Sequence, residues 1–229
     1  MKTGRVADSL ARRVSGLTAV ACAEAAPAEI RPPAGAPTTE LLDELRSHLL
    51  AGETHYTTRP GMVPLRELIA ARITEAGGPQ YDPRTEIVVT AGEGEAVLAA
   101  ALGCGAGEGA AIRLVGDESR AVLLEALGIE LIVPEDKSPG AKEVTKIQVV
   151  GPAGFGDDPT AWASIDRDSV VVGSLDGMTG MRAYRIGYSA GPAEVMANVM
   201  KWKQAFSICT AAPSQRAAIW MLDRAGGQE

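Results

Sequence analysis

The sequence predicts an α/β fold: a doubly wound, mainly parallel sheet with helices on both faces. Short β-branched runs, of which Glu86-Ile-Val-Val-Thr90 is the clearest, alternate with longer stretches whose leucines and isoleucines share one helical face. Glycine and proline mark the turns between them. The chain has 229 residues, 46% of them hydrophobic, and a mean hydropathy of +0.04, enough for one good core.

Taken in order, Ala7–Ala26 reads as a helix that the three prolines of Ile30–Pro37 break. Thr38 or Thr39 caps a helix to about Leu50, with Leu41, Leu42, Leu45 and Leu49 on one face. Residues 1–50 are expected to form a helical segment packing on the core of a single 1–229 domain. After the loop Gly52–Gly61, Val63–Ala76 is a second amphipathic helix, with Leu65, Leu68, Ile69 and Ile73 inward. The strand Glu86–Thr90 turns through Ala91–Gly94 into the helix Glu95–Leu102. Then come strand Ala111–Val115, helix Glu118–Leu127 and strand Ile129–Val133. Lys146–Val150, Val170–Gly173 and Arg185–Ser189 are further strands, and Ala193–Phe206 and Ser214–Arg224 are the last helices. Lys137–Val144 is read as a loop, and Lys201 and Lys203 as helix-surface lysines.

Charge and composition exclude several function classes. A formal charge of −7 and a pI near 5.0, with no basic cluster, argue against nucleic acid or an anionic membrane as partner. No apolar run has the length of a membrane span. Leu17–Ala26 follows Arg5, Arg12 and Arg13 as a secretory signal would, but Glu24 interrupts it, and an amphipathic helix is the expectation. Cys22, Cys104 and Cys209 form no CxxC and read as reduced thiols, which points to a cytoplasmic address. His48 and His55, the two histidines, leave little room for a metal centre or a catalytic triad. Asp157-Asp158 reads as a cap, and Trp162, Trp202 and Trp220 as packing or interface anchors.

Three blocks occur in an order and spacing that resemble one family. His55-Tyr56-Thr-Thr-Arg-Pro-Gly61-Met-Val-Pro-Leu65-Arg66 is similar to a Tyr-x-x-x-x-Gly-x-x-x-Leu-Arg motif. Glu86–Thr90 followed by Ala91-Gly92-Glu93-Gly94 is similar to a strand–turn–helix that cradles a phosphate on helix N-terminal amides. Ser174-Leu-Asp-Gly177 followed by Arg185-Ile-Gly187 is similar to Ser-x-Ser-Lys with Arg-x-Gly, the arginine eight residues after the lysine. Together they resemble the fold-type I aminotransferases, which use pyridoxal phosphate (PLP).

The resemblance implies the large-domain fold of that family, a homodimer, and a phosphate cup made of Gly92, Glu93, Gly94, Ser174 and Arg185. Tyr56 would reach into it from the neighbouring subunit. It also marks departures. Gly177 stands where the Schiff-base lysine belongs, and Glu93 where a small neutral residue is usual. Gly116-Asp-Glu118 replaces the aromatic that stacks on the pyridine ring, and the aspartate that pairs with its nitrogen has no counterpart between Asp157 and Val170. The small domain is expected to be missing beyond Glu229.

Ordinary transamination, which needs that amine and that carboxylate, is therefore not expected. Two readings of the cup stay open: a pocket for a phosphate-bearing small molecule, with PLP held otherwise than as a lysine aldimine, or an Arg185 paired structurally with a carboxylate. At the level of function, a binding or pseudoenzyme subunit stands beside an enzyme with repurposed residues. That enzyme would use PLP or pyridoxamine phosphate non-covalently, or no cofactor. A nucleotide or S-adenosylmethionine site is the third reading, from Gly92-x-Gly94 between strand and helix; Val97 holds the place of the third glycine.

Overall fold

The computed structural model describes residues 38–106, 112–116, 121–129, 131, 145–150, 155, 162–178 and 180–225. The expected helix Ala7–Ala26, Cys22, the loop Lys137–Val144 and Asp157-Asp158 lie outside them.

Thr38 begins the first helix as the sequence predicts: its Oγ1 accepts from Leu41 N–H at 3.3 Å, and α1 runs Thr39–Leu50. Helix α2 is Val63–Glu75, with Pro64 in its first turn, where a missing N–H costs no hydrogen bond. Strand β1 is Ile87–Thr90, followed at once by α3, Glu93–Gly103. Glu93 and Gly94 thus belong to the first turn of the helix rather than to the loop before it. Next come β2 (Ile112–Val115), α4 (Ala121–Ala126), β3 (Thr145–Val149) and β4 (Val170–Ser174). A 3-10 turn at Arg182–Tyr184 leads to β5 (Gly187–Ala190), and α5 (Ala193–Ser207) and α6 (Ala212–Ala225) close the described chain. Of the expected strand Ile129–Val133, Leu131 makes a parallel bridge to Ile112.

The strands lie in the order β1-β5-β4-β3-β2. β2, β3 and β4 pair parallel, whereas β5 runs antiparallel to both β4 and β1. The fold is α/β with helices on both sides, but the sheet is mixed: one strand opposes the other four. The reason is local. β4 and β5 are joined by only the Leu175–Ile186 loop, which reverses the chain without a crossover helix, so the strands must be antiparallel neighbours.

Alternate residues of the strands feed two cores. Ile87, Val89, Val171 and Tyr188 face α1, α2 and α6, while Val88, Ile147, Val170 and Val172 face α3, α4 and α5. On the outer side of β1, Val89 N–H donates to Pro60 O at 2.8 Å, and Thr210 Oγ1 donates to Val89 O at 3.1 Å, so the edge is covered.

Lys203 departs from its expected place. It lies on α5 but is 0% exposed, and its Nζ has no hydrogen-bond partner among the described residues. Burial lowers its pKa, against the opposing pull of Glu95. Helix α5 packs along α3 and also against β1 and β5, and Lys203 falls on its buried face with Met196 and Val199.

Candidate functional site

The site is built where β1 ends, α3 begins and β5 starts. Gly92 caps α3 with φ 85°, a left-handed conformation that glycine adopts freely. Gly187 presses against it: a Cβ there would lie 2.5 Å from the Gly92 carbonyl carbon and 2.6 Å from its oxygen. The backbones of β5 and of the β1–α3 turn therefore touch with nothing between them. Thr90 Oγ1 donates to Gly92 O at 3.0 Å and closes the turn from below.

Arg185 reaches the same point from the other loop. Its backbone is left-handed, φ 50° and ψ 56°, and its side chain lies over Gly92. A Cβ on Gly92 would stand 2.7 Å from Arg185 Nη2 and 3.1 Å from Cζ. The structure thus brings Gly92 and Arg185 together, across a sequence separation of more than ninety residues.

Arg185 already has a partner. Its Nη1 donates to Asp176 Oδ2 in an ion pair. The arginine side chain is 55% exposed and the aspartate 16%. Asp176 N–H points at Ser174 Oγ, 3.4 Å away, and Ser174 itself is buried. Gly177 follows on the exposed rim. Glu93, which stands where the resemblance puts a small neutral residue, is 4% exposed. The first turn of a helix favours an acid through the macrodipole, which offsets part of its desolvation. Glu95 does its own capping: it accepts from Ala91 N–H, and from Ser207 Oγ at 2.6 Å.

Tyr56 stands apart from the cup on the described chain. It is 80% exposed and lines a cleft of about 450 Å³ together with His55, Thr57, Met62 and Arg216. The loop carrying it is tied down by Gln215, which accepts from Met62 N–H at 2.7 Å and donates to Thr57 Oγ1 at 2.9 Å and Thr210 O at 2.7 Å. Arg66, buried, donates to Gly61 O at 3.1 Å and to the carbonyls of Pro83 and Arg84, which explains the Gly61–Arg66 spacing structurally. At one end of the cleft Glu53 takes Arg216 bidentately, at 2.6 Å on each oxygen.

No protein-family model matches the chain. A curated relative, a probable N-succinyldiaminopimelate aminotransferase of Mycobacterium tuberculosis, is 34% identical over 122 residues, 53% of this chain and 28% of the relative. Among solved structures, the N-succinyldiaminopimelate aminotransferase of M. tuberculosis superposes with a TM-score of 0.64 at 20% identity, over 95% of this chain and 70% of that one. An aspartate aminotransferase from Rhodobacter sphaeroides gives 0.67 at 18%, over 93% and 72%. YbdL of Escherichia coli, described as a methionine aminotransferase, gives 0.65 at 19%, over 84% and 64%.

In fold the chain is like these aminotransferases, and over 122 residues its sequence resembles one of them. The chain matches well under half the length of that curated relative. The likeness to PLP-dependent aminotransferases implies PLP, so the fit of that group to the residues present is a question of chemistry. The backbone half of an aminotransferase phosphate cup is in place: the left-handed Gly92, the N-terminal amides of α3 and a guanidinium above them. The side-chain half does not fit. Gly177 offers no amine, and Asp176 holds the arginine. At this turn the residues do not accommodate a cofactor anchored through a lysine.

Of the six expected cup residues, Gly92, Glu93, Gly94, Ser174 and Arg185 fall at one corner of the sheet, and Tyr56 on an exposed cleft. Asp176 was missed. The available signal was its place one residue before the aldimine position, in a segment counted back from Arg185.

Proposed function

We propose that this chain is an aminotransferase-like protein that does not carry out lysine-based transamination and acts as a non-catalytic binding subunit, in a homodimer. The observation that carries the reading is the pairing of Arg185 with Asp176 beside Gly177: both the anchor and the free phosphate ligand of an aminotransferase site are gone from one loop. The chemistry PLP supplies elsewhere in the family is electron withdrawal from an amino-acid carbon. Here no residue at the turn presents an amine to hold such a group or to move its proton. What the chain's own residues do is hold a rigid corner: Gly92 against Gly187, and Arg185 folded onto Asp176.

The dimer reading is supported by exposed apolar side chains at Tyr56, Trp202, Phe206 and Ile208, the last three between 41% and 48% exposed. Sedimentation at micromolar concentration is expected to give a dimer, and monomer alone would overturn that part. For the catalytic part, PLP is added, reduced with borohydride, and the adduct mapped by peptide mass. No stoichiometric pyridoxyl-lysine is expected. A one-to-one adduct at a single lysine, Lys203 included, with amino-donor turnover, would establish the repurposed-enzyme reading instead.

A further inference from the structure

One side chain of the chain itself, Asp176, holds the guanidinium at this corner. We propose that Asp176 is the residue that sets ligand specificity at this corner: its carboxylate occupies the Arg185 guanidinium in place of a phosphate, so that the corner rejects phosphate-bearing ligands. The inference rests on the reading of the corner as an aminotransferase cup, and deepens it.

Three observations support the assignment. First, the pair forms at the cup: the guanidinium that Asp176 holds lies against Gly92, at the start of α3. Second, Asp176 depends on Arg185. Its Oδ1 is enclosed and has no hydrogen-bond partner among the described residues, so the ion pair through Oδ2 is its one strong contact. Third, the local charges add unfavourably. Arg185 contributes one positive charge, already opposed by the Asp176 carboxylate, and a phosphate monoester would bring about two more negative charges. The helix N-terminus supplies only about half a charge in compensation. Taking away the Asp176 carboxylate leaves an arginine fork facing the amides of α3, the arrangement that binds phosphate oxygens.

The test measures phosphate binding in four proteins: wild type, Asp176→Ser, Asp176→Asn, and Asp176→Ser combined with Arg185→Ala. Titration calorimetry with inorganic phosphate, at fixed ionic strength and with chloride as control, is the first probe. Pyridoxamine phosphate against pyridoxamine is the second. Wild type is expected to give no heat at millimolar phosphate. Asp176→Ser and Asp176→Asn are expected to bind at least about tenfold more tightly than wild type, which corresponds to about 1.4 kcal/mol. The gain should vanish in the double variant and be absent for pyridoxamine. Wild-type binding equal to that of Asp176→Ser would overturn the proposal. So would a folded Asp176→Ser protein, checked by circular dichroism, that gains nothing. Neither result would bear on the absence of a lysine adduct, so failure here and failure of the non-catalytic reading are distinguishable.

Discussion

Two turns meet at Arg185, and they are held by different means. The turn from Thr90 to Gly94 is held by shape: a left-handed glycine, a threonine hydroxyl on a carbonyl, and a second glycine whose backbone lies in contact with the first. The loop from Leu175 to Tyr184 is anchored by buried Leu175 and Met181 and by successive backbone turns, but its Asp176 side chain is held by charge, through one ion pair whose arginine is more than half exposed. Shape at the first turn is tied to the sheet, because Gly92 and Gly187 sit at the ends of paired strands, and losing it would cost the fold. Charge at the second can be exchanged at little cost. A chain of this kind can therefore shed the chemistry of its loop and keep the geometry of its turn.

The largest expected effect breaks the shape side. Gly187→Ala places a methyl within 2.6 Å of the Gly92 backbone, with no flexible side chain to yield. A loss of about 3 kcal/mol is expected, a fall of roughly 6–12 °C in Tm for a chain of this size. A shift below about 2 °C on the same scale would show that the contact relaxes easily.

Lys203 offers a third case, a buried charge with no hydrogen-bond partner among the described residues and only the pull of Glu95 and Cys209 in its favour. Lys203→Met keeps the aliphatic stem and removes a buried, unpartnered amine, so it should stabilise by about 1–3 kcal/mol at neutral pH. Because burial lowers the folded-state pKa of this lysine, the unfolded chain holds the proton more tightly. Wild-type stability should then climb with pH from that lowered value up to the ordinary lysine value near 10.5. Denaturant melts across alkaline pH should show this rise in wild type and not in the methionine variant.

The charge side predicts small numbers. Asp176→Asn should change stability by less than about 1 kcal/mol, because its arginine partner is screened by solvent. A loss several times larger would place the ion pair among the shape-determining contacts and dissolve the distinction. The smallest effect lies at the cleft. The hydrogen bond from Arg216, with help from His48, holds the Glu53 carboxyl below its ordinary value despite some desolvation. That contribution is present above the unfolded value of about 4.5 and is lost as pH falls through the folded one. Glu53→Gln should remove it, a difference under about 1 kcal/mol in melts between pH 6 and pH 3.

The same distinction governs what could be read from the sequence. Strands such as Ile87–Thr90 and helices such as Thr39–Leu50 announce themselves through local patterning and a capping threonine, and Gly92 and Arg185 through motif spacing. The antiparallel course of β5 depends on a loop bringing it back beside β4, which no local pattern records. Lys203 looked like a surface residue because a lysine is seldom buried, although it shares the inward face of Met196 and Val199. Asp176 was visible as a residue but not as a partner, since the nine-residue gap to Arg185 is closed by the 3-10 turn at Arg182–Tyr184.

The left-handed backbone of Arg185 also has a kinetic consequence. With Gly187 wedged against Gly92 two residues further on, the main chain at this corner has nowhere to go. Any exchange of partners by the guanidinium must come from rotation about its own side-chain bonds, which for an exposed residue takes picoseconds to nanoseconds. Such an exchange would leave the outline of the molecule unchanged and be invisible to small-angle scattering. It would register as a single averaged Arg185 Nε resonance that moves smoothly as anion is added.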